Sequence, residues 1–232
     1  MHQNIFFQPD RNASFSRGSG IQQVYADSNS VNTLLTTNSC VSCDLSYANL
    51  YGAYLSHANL SNANLSNANL YGAILQYVNL TYANLYNAYL YHADLENALL
   101  SNANLSHADL GYTRSSYSNL SYATLSHANL YLADLNNANV YNANLSYANL
   151  SYARLNANLS YAILDSANLN HARLAHANLI YANLSYADLS YADLSYADLS
   201  YAYLSYANFC YANKTGIIKA GITMISGTQC WP

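Results

Sequence analysis

The sequence predicts an all-β solenoid: a rod of about 8.5 square coils, entered through a short N-terminal helix and closed by an irregular C-terminal cap. Three observations predict it. From Cys43 onward Leu recurs every fifth residue, at Leu45, Leu50 and Leu55 and on to Leu155, then from Leu159 to Leu204 and finally Phe209, which makes 34 units. Two residues before nearly every Leu stands a small residue, such as Ala48, Ala53 or Ala58. Only 8% of the residues are charged, against about 25% in ordinary domains, so the chain is a biased repeat and not a mixed globular sequence.

A period of five matches neither the helical 3.6 nor the strand period of 2. A backbone that turns about a quarter-circle per unit places every Leu and every small residue inside, and four units close one coil. Successive coils then pair their backbone groups at roughly 4.8 Å, for a rod on the order of 40 Å long. Each buried Leu contributes about 1.5–3 kcal/mol of transfer free energy.

The chain divides accordingly. Residues 1–27 are polar and expected to be poorly ordered, 28–42 form an N-terminal cap, 43–213 the rod and 214–232 a C-terminal cap. Ile217, Ile218, Ile222, Met224 and Trp231 are the candidates to cover the last coil. Two defects interrupt the rod. Ser115 stands at a Leu position between the small-position residues Thr113 and Ser118, and predicts a void or a trapped water. One residue is missing near Asn156, which predicts a squeezed corner and a coil of 19 residues where the others have 20.

The unit Ala-[Asn/Asp]-Leu-x-x, as in Ala48-Asn49-Leu50, resembles the motif of pentapeptide-repeat proteins. LLTTNSCVSCDLSYANL (34–50) is similar to the opening of many cyanobacterial-type members, where a short helix leads into Cys-x-x-Cys-Asp-Leu. TMISGT (223–228) is a more distant likeness to the Thr-Met-Pro-Asp-Gly-Thr ending, with Ile225 and Ser226 replacing Pro and Asp. The resemblance implies a right-handed quadrilateral β-helix.

The outward positions carry whatever function there is. Asp188, Asp193 and Asp198 fall on three successive sides of one coil and form a ring of solvated charge, not a metal or acid pair. Residues one coil apart meet. Asp94, Arg114, Asp134, Arg154, Arg173 and Asp193 make one charge ladder, read as structural, with an ionic docking strip as the alternative. Asn59, Asn79, Asn119, Asn139, Asn158 and Asn178, interrupted by Leu99, make an amide ladder. His107 and His127 are stacked neighbours, but a zinc site needs three or four ligands, and none is assigned. His57, His92, His171 and His176 are surface residues.

Tyr fills the second position after Leu in eight of the last eleven units. Tyr161 belongs to one column with Tyr181 and Tyr201, and Tyr186, Tyr191, Tyr196, Tyr206 and Tyr211 encircle the final coils. Tyr is a contact residue of low ordering cost, so Tyr181 to Tyr211 are the candidate interaction surface; ring-on-ring stacking is the alternative. Cys43 occupies an inward position and reads as a buried core thiol, with a Cys40–Cys43 disulfide as the alternative. A Cys210–Cys230 bridge would close the C-terminal cap in an oxidising compartment.

These features predict a non-enzymatic structural or interaction module with no catalytic residue and no cofactor, whose partner is an unidentified protein or a second copy. A filled rod offers no substrate cavity. The net charge of −4 argues against nucleic-acid binding, and no apolar run is long enough to span a membrane. With no secretory leader in MHQNIFFQPDRNASFS, a cytoplasmic location is expected, and export or delivery to a host is an alternative. Some members of the resembled family mimic DNA and protect gyrase. Here nine acids face three Arg within 43–213, whereas DNA of about 40 Å carries on the order of 24 charges. Mimicry is therefore the lesser alternative.

Overall fold

In a computed structural model, which describes residues 28–223 and 227–231, the chain forms one helix followed by a continuous stack of coils. The polar segment 1–27 and Met224 lie outside the described residues. Helix α1 spans Ser28–Thr37. Its Val31 and Leu34, three positions apart and so on one face, pack on the first coil, with Leu34 fully buried. The helix ends where Asn38 adopts a left-handed backbone, φ 55°, and donates its N–H to the Leu34 carbonyl.

Each side of a coil contributes a single paired residue, and no continuous strand forms among the described residues. The pairings are parallel: Asp44 with Asn64, Asn64 with Asn84, Asn84 with Asn104. Every unit repeats one bonding scheme. Leu45 donates to the Asn64 carbonyl, Asn64 to Cys43, and Tyr47 to Ser66. Ala48 donates back to Leu45 and closes the corner. Backbone amides are thereby satisfied between coils without long strands.

The corner residue two after Leu has φ between 52° and 63° all along the rod, at Tyr47, Asn62, His107 and Tyr211 alike. A positive φ at the third residue of a four-residue turn defines type II geometry. The left-handed region favours Gly, Asn and His over other residues, and these three fill many corners: Gly52 and Gly72, seven Asn from Asn62 to Asn142, and six His. The inward rows are filled by Leu and Ala, nearly all at 0–2% exposure.

The missing residue near Asn156 removes one corner position. Asn139 pairs with Asn158 and Arg154 with Arg173, nineteen apart, while Asn158 pairs with Asn178 at the usual twenty. Both flanking sides keep their pairing; only the left-handed corner residue is gone. Around Ser115 the core stays satisfied. The Thr113 hydroxyl donates to the Leu110 carbonyl at 2.8 Å and the Ser118 hydroxyl to the Ser115 carbonyl at 2.7 Å.

Three expectations need correction. The segment from 214, expected as an irregular cap, continues the coil, with Ile218 paired to Asp198, Thr223 to Tyr203 and Gln229 to Asn208. Ile218 therefore points outward, 52% exposed, and Ile217, Ile222 and Trp231 cover the core. Lys214 takes the inward Leu position of this last coil and donates to the Cys230 carbonyl at 2.7 Å, and its partial burial lowers its pKa. Cys43 is not a free thiol: it is bonded to Cys40, with Cα atoms 5.4 Å apart. Cys210 is bonded to Cys230 at 4.9 Å between Cα atoms, and the bridge ties the last coil down beside the Phe209–Trp231 contact.

Candidate functional site: an aromatic corner

The five-residue spelling places side chains of the first and second positions after Leu on the same corner of the coil. Along one corner their rings meet without interruption. Tyr51 lies 5.2 Å from Tyr71, Tyr71 lies 6.1 Å from Tyr91, and Tyr91 lies 5.2 Å from Tyr112. The line continues through Tyr131 at 5.6 Å, Tyr152 at 5.8 Å and His171 at 4.7 Å. It ends at Tyr191 and Tyr211, each step 4.9 Å or less. Tyr89 and His92 widen it near the N-terminal end. Tyr51, Tyr112, Tyr152, Tyr191 and Tyr211 are exposed, and Tyr71, Tyr91 and Tyr131 are half-buried among them. Desolvation by the packed rings, chiefly, raises the phenol pKa of Tyr91 and of Tyr131.

Sequence reasoning missed the N-terminal two-thirds of this line, because it followed only the second position after Leu and only in the last eleven units. Reading both corner positions at steps of 20, and 19 across the missing residue, finds it.

The candidate residues Tyr181, Tyr186, Tyr191, Tyr196, Tyr201, Tyr206 and Tyr211 are all exposed and point from all four corners. Only Tyr191 and Tyr211 belong to the continuous line. Tyr181 and Tyr201 end a second, shorter line that runs from Tyr122 through Tyr141 and Tyr161, while Tyr186 stacks on Tyr206 at 4.8 Å and Tyr196 on His176 at 5.2 Å. Gly221 and Gly216 follow Tyr201 and Tyr196 one coil on, and a Cβ at either would meet the ring above it within 2.7 Å.

The charge ladder is in register from Asp94 through Asp193. Ion pairs close at two of its steps, Arg114 to Asp94 at 3.2 Å and Arg154 to Asp134 at 3.1 Å. Arg114 also reaches Glu96, which lies outside the column, at 3.3 Å. Arg173 makes no ion pair among the described residues, and its ladder neighbour Arg154 carries the same charge. His107 and His127 stack at 4.9 Å, and the stack continues to Tyr147 at 5.0 Å. No group of three metal-ligating side chains gathers among the described residues.

The outward Asn and Asp have a structural task that the sequence reading missed. Their Oδ1 accepts the N–H two residues on, as from Ser190 to Asp188, Ser195 to Asp193 and Ser200 to Asp198. Asn also donates Nδ2 to the preceding coil, as from Asn84 to Asn64 and from Asn64 to Asp44. A carboxylate has nothing to donate. Asp44, Asp109, Asp188 and Asp193 accordingly stand where a ladder begins, accepting from Asn64, Asn129, Asn208 and Asn213. The amide ladder closes as Asn139 to Asn119, Asn158 to Asn139 and Asn178 to Asn158, at 3.1–3.2 Å.

Comparison with known proteins follows the same geometry. A family model for pentapeptide repeats matches in eight copies over residues 39–76, 79–113, 98–137, 118–157, 156–190 and 187–213. The chain is similar to the crystal structure of HetL, a pentapeptide repeat protein involved in heterocyst differentiation regulation from the cyanobacterium Nostoc sp. strain PCC 7120. Identity is 36% over 82% of this chain and 89% of that one, with a TM-score of 0.63. QnrB1, a plasmid-mediated fluoroquinolone resistance protein, is 20% identical over 81% of this chain and 91% of that one, with a TM-score of 0.32. A pentapeptide repeat protein of the Arabidopsis thaliana thylakoid lumen is 26% identical over 46% of this chain and 68% of that one, with a TM-score of 0.26. No curated protein sequence matches.

Proposed function

This chain belongs to the pentapeptide-repeat family, and from that premise we propose that it is a non-enzymatic interaction module. In this reading a right-handed square rod of about 8.5 coils over 43–213, entered through 28–42 and continued by a last coil from 214, presents tyrosines to a protein partner or a second copy. The observation that carries the proposal is the unbroken aromatic corner from Tyr51 to Tyr211, exposed on a body whose interior is solid Leu and Ala. Exposed aromatic surface of this extent marks contact sites, and Tyr loses little freedom on docking. The involvement of HetL in regulating differentiation fits a rod that acts through contacts.

A DNA mimic directed at a topoisomerase such as gyrase is the alternative. It is disfavoured because Arg114 and Arg154 cancel Asp94 and Asp134 directly, on a rod already short of charge. As for location, no helix among the described residues is long and apolar enough to cross a membrane. The two disulfides suit an oxidising compartment better than the cytoplasm expected from sequence, and so favour export. Thiol titration of protein isolated under acid quench decides this: four free thiols would return the chain to the cytoplasm.

The functional test compares wild type with a variant in which Tyr112, Tyr152, Tyr191 and Tyr211 are Ser, by sedimentation velocity and by cross-linked pull-down. The expected result is loss of self-association, or of one captured protein, in the variant alone. Identical behaviour of the two proteins would remove the aromatic corner as a docking surface. A Tyr186, Tyr196 and Tyr206 to Ser variant, which leaves Tyr191 in place, separates the C-terminal belt from the corner. Absence of any effect on gyrase supercoiling at high excess would end the mimic reading.

A further inference from the structure

The corner shortened at Asn156 is more than a tolerated defect. Elsewhere in the rod the turn backbone projects beyond the inward rows, carrying the left-handed residue. Along this corner the projecting side chains run Asn97, Tyr117, Asn137 and then His176 and Tyr196, and the coil between Asn137 and His176 contributes none. An open notch of about 450 Å³ results, lined by Asn137, Asn139, Asn156, Asn158, His176 and Asn178 with Ala138 and Ala157 at its base.

Its walls are built for one kind of guest. Asn137 and His176 lie two coils apart, so the gap between them is about 9.6 Å at strand spacing. One ring placed midway would sit about 4.8 Å from each, the separation at which His57 stacks on Tyr77 in this same corner column. The His176 ring already stacks on Tyr196 at 5.2 Å, which holds it flat and leaves its other face toward the notch. The base is the chain at Ala138 and Ala157, residues of the inward row that are almost fully buried. One side is the Asn139–Asn158–Asn178 ladder, fixed by its own hydrogen bonds. The Asn156 and His176 side chains make no hydrogen bond among the described residues, and both are exposed at the rim. Two flat walls one ring apart and a rim of free polar groups together complement a planar ring with a polar edge.

We propose that this notch is a binding slot for one planar aromatic group bearing a hydrogen-bonding substituent, held between the Asn137 amide and the His176 imidazole. The guest completes the interrupted column as a Tyr of the chain would. A phenol meets the requirement, either as the side chain of a partner protein or as a small free molecule.

The test is a titration of isotope-labelled full-length protein with p-cresol, followed by NMR, with N-acetyl-tyrosinamide and cyclohexanol in parallel. Expected are saturable shifts at Asn137, Asn156 and His176 with p-cresol and none there with cyclohexanol. Binding of N-acetyl-tyrosinamide at the same signals assigns the guest to a partner's side chain; its exclusion, with p-cresol still bound, assigns a free small molecule. Inserting one Tyr between Asn156 and Ala157 restores the Leu-x-Tyr-Ala-Asn-Leu spelling of residues 145–150 and fills the slot from within. That variant should weaken p-cresol at least about five-fold with the other coils unchanged, and His176→Ala should weaken it by a similar factor. Shifts spread evenly over the tyrosine corners, undiminished binding to the insertion variant, or equal response to cyclohexanol would overturn the proposal.

Discussion

Replacing Cys210 and Cys230 together by Ser should loosen the last coil and nothing else. The bridge closes a loop of 20 residues, for which loop-closure entropy gives about 3 kcal/mol. In a solenoid each coil touches only its neighbours, so the loss does not spread along the rod. It falls on the bonds of the terminal coil: Gln229 to the Ala207 carbonyl, Thr223 to Ala202 and Ile218 to Ala197, each 2.9 Å. It also frees the Lys214 contact to the Cys230 carbonyl and the Trp231 ring over Phe209. Amide hydrogen exchange reads this directly. The Gln229 amide should exchange on the order of a hundred-fold faster, Thr223 and Ile218 progressively less, and mid-rod Asn139, bonded to the Ser118 carbonyl, at its original rate. Equal acceleration at Asn139 would refute nearest-neighbour stability, and an unchanged Gln229 would refute the bridge as the closure of the rod.

Other consequences are as specific. Ser115→Leu restores the side chain found at almost every equivalent position and should stabilise the rod by about 1.5–3 kcal/mol in denaturant unfolding; destabilisation would mean that the coil has narrowed around Thr113, Ser115 and Ser118. Arg154→Ala should cost up to about 1 kcal/mol, less at high salt, because it removes the exposed pair with Asp134. Arg173→Ala should cost almost nothing, because its repulsion from Arg154 offsets its attraction to Asp193, with which it closes no ion pair. The Asp44 carboxyl is held below its ordinary 3.8 by the Ser46 side chain first and the Ser46 N–H second. Its contribution is therefore present above the unfolded pKa and lost as pH falls through the lowered folded value. Exchange at the Ser46 amide should accelerate below about pH 4, and Asp44→Asn, which keeps the acceptor oxygen, should abolish that dependence. Tyr82→Asn and Tyr117→Asn should each stabilise by roughly 0.5–1 kcal/mol in thermal unfolding, whereas Tyr181→Asn should destabilise by breaking a three-ring stack.

The rod was legible because a single physical demand, burial of Leu50, Leu55 and their successors on four sides in turn, repeats without relief. The Asn139–Asn158 step of nineteen was legible for the same reason. Features that depend on a second demand at the same position were not. Asp188 looks like surface charge until the N–H of Ser190 is seen to need an acceptor. Lys214 looks like the end of the pattern, since a cation in a Leu position reads as a broken repeat; the open carbonyls at the end of a stack are what it serves. The corner geometry was readable from the Gly, Asn and His that recur two residues after Leu, but Tyr, a poor left-handed residue, obscured the signal.

That tyrosine is the residue whose position the repeat does not explain. An L-residue in the left-handed region gives up about 1 kcal/mol or more, and Asn or Gly less. Stacking returns about 0.5–1.5 kcal/mol per ring pair, so Tyr is favoured only where the neighbouring coil supplies a ring. All eight corner tyrosines from Tyr161 to Tyr211 have one: Tyr161, Tyr181 and Tyr201 in one stack, Tyr186 with Tyr206, Tyr191 with Tyr211 and His171, Tyr196 with His176. Their abundance thus has a sufficient cause within the chain, and number alone does not make the belt a docking surface. Tyr82 and Tyr117 have no ring partner among the described residues, stand between Asn neighbours in their columns, and are 61% and 58% exposed. Folding does not explain these two, so if the corners are read by a partner, selection for contact should be most visible there.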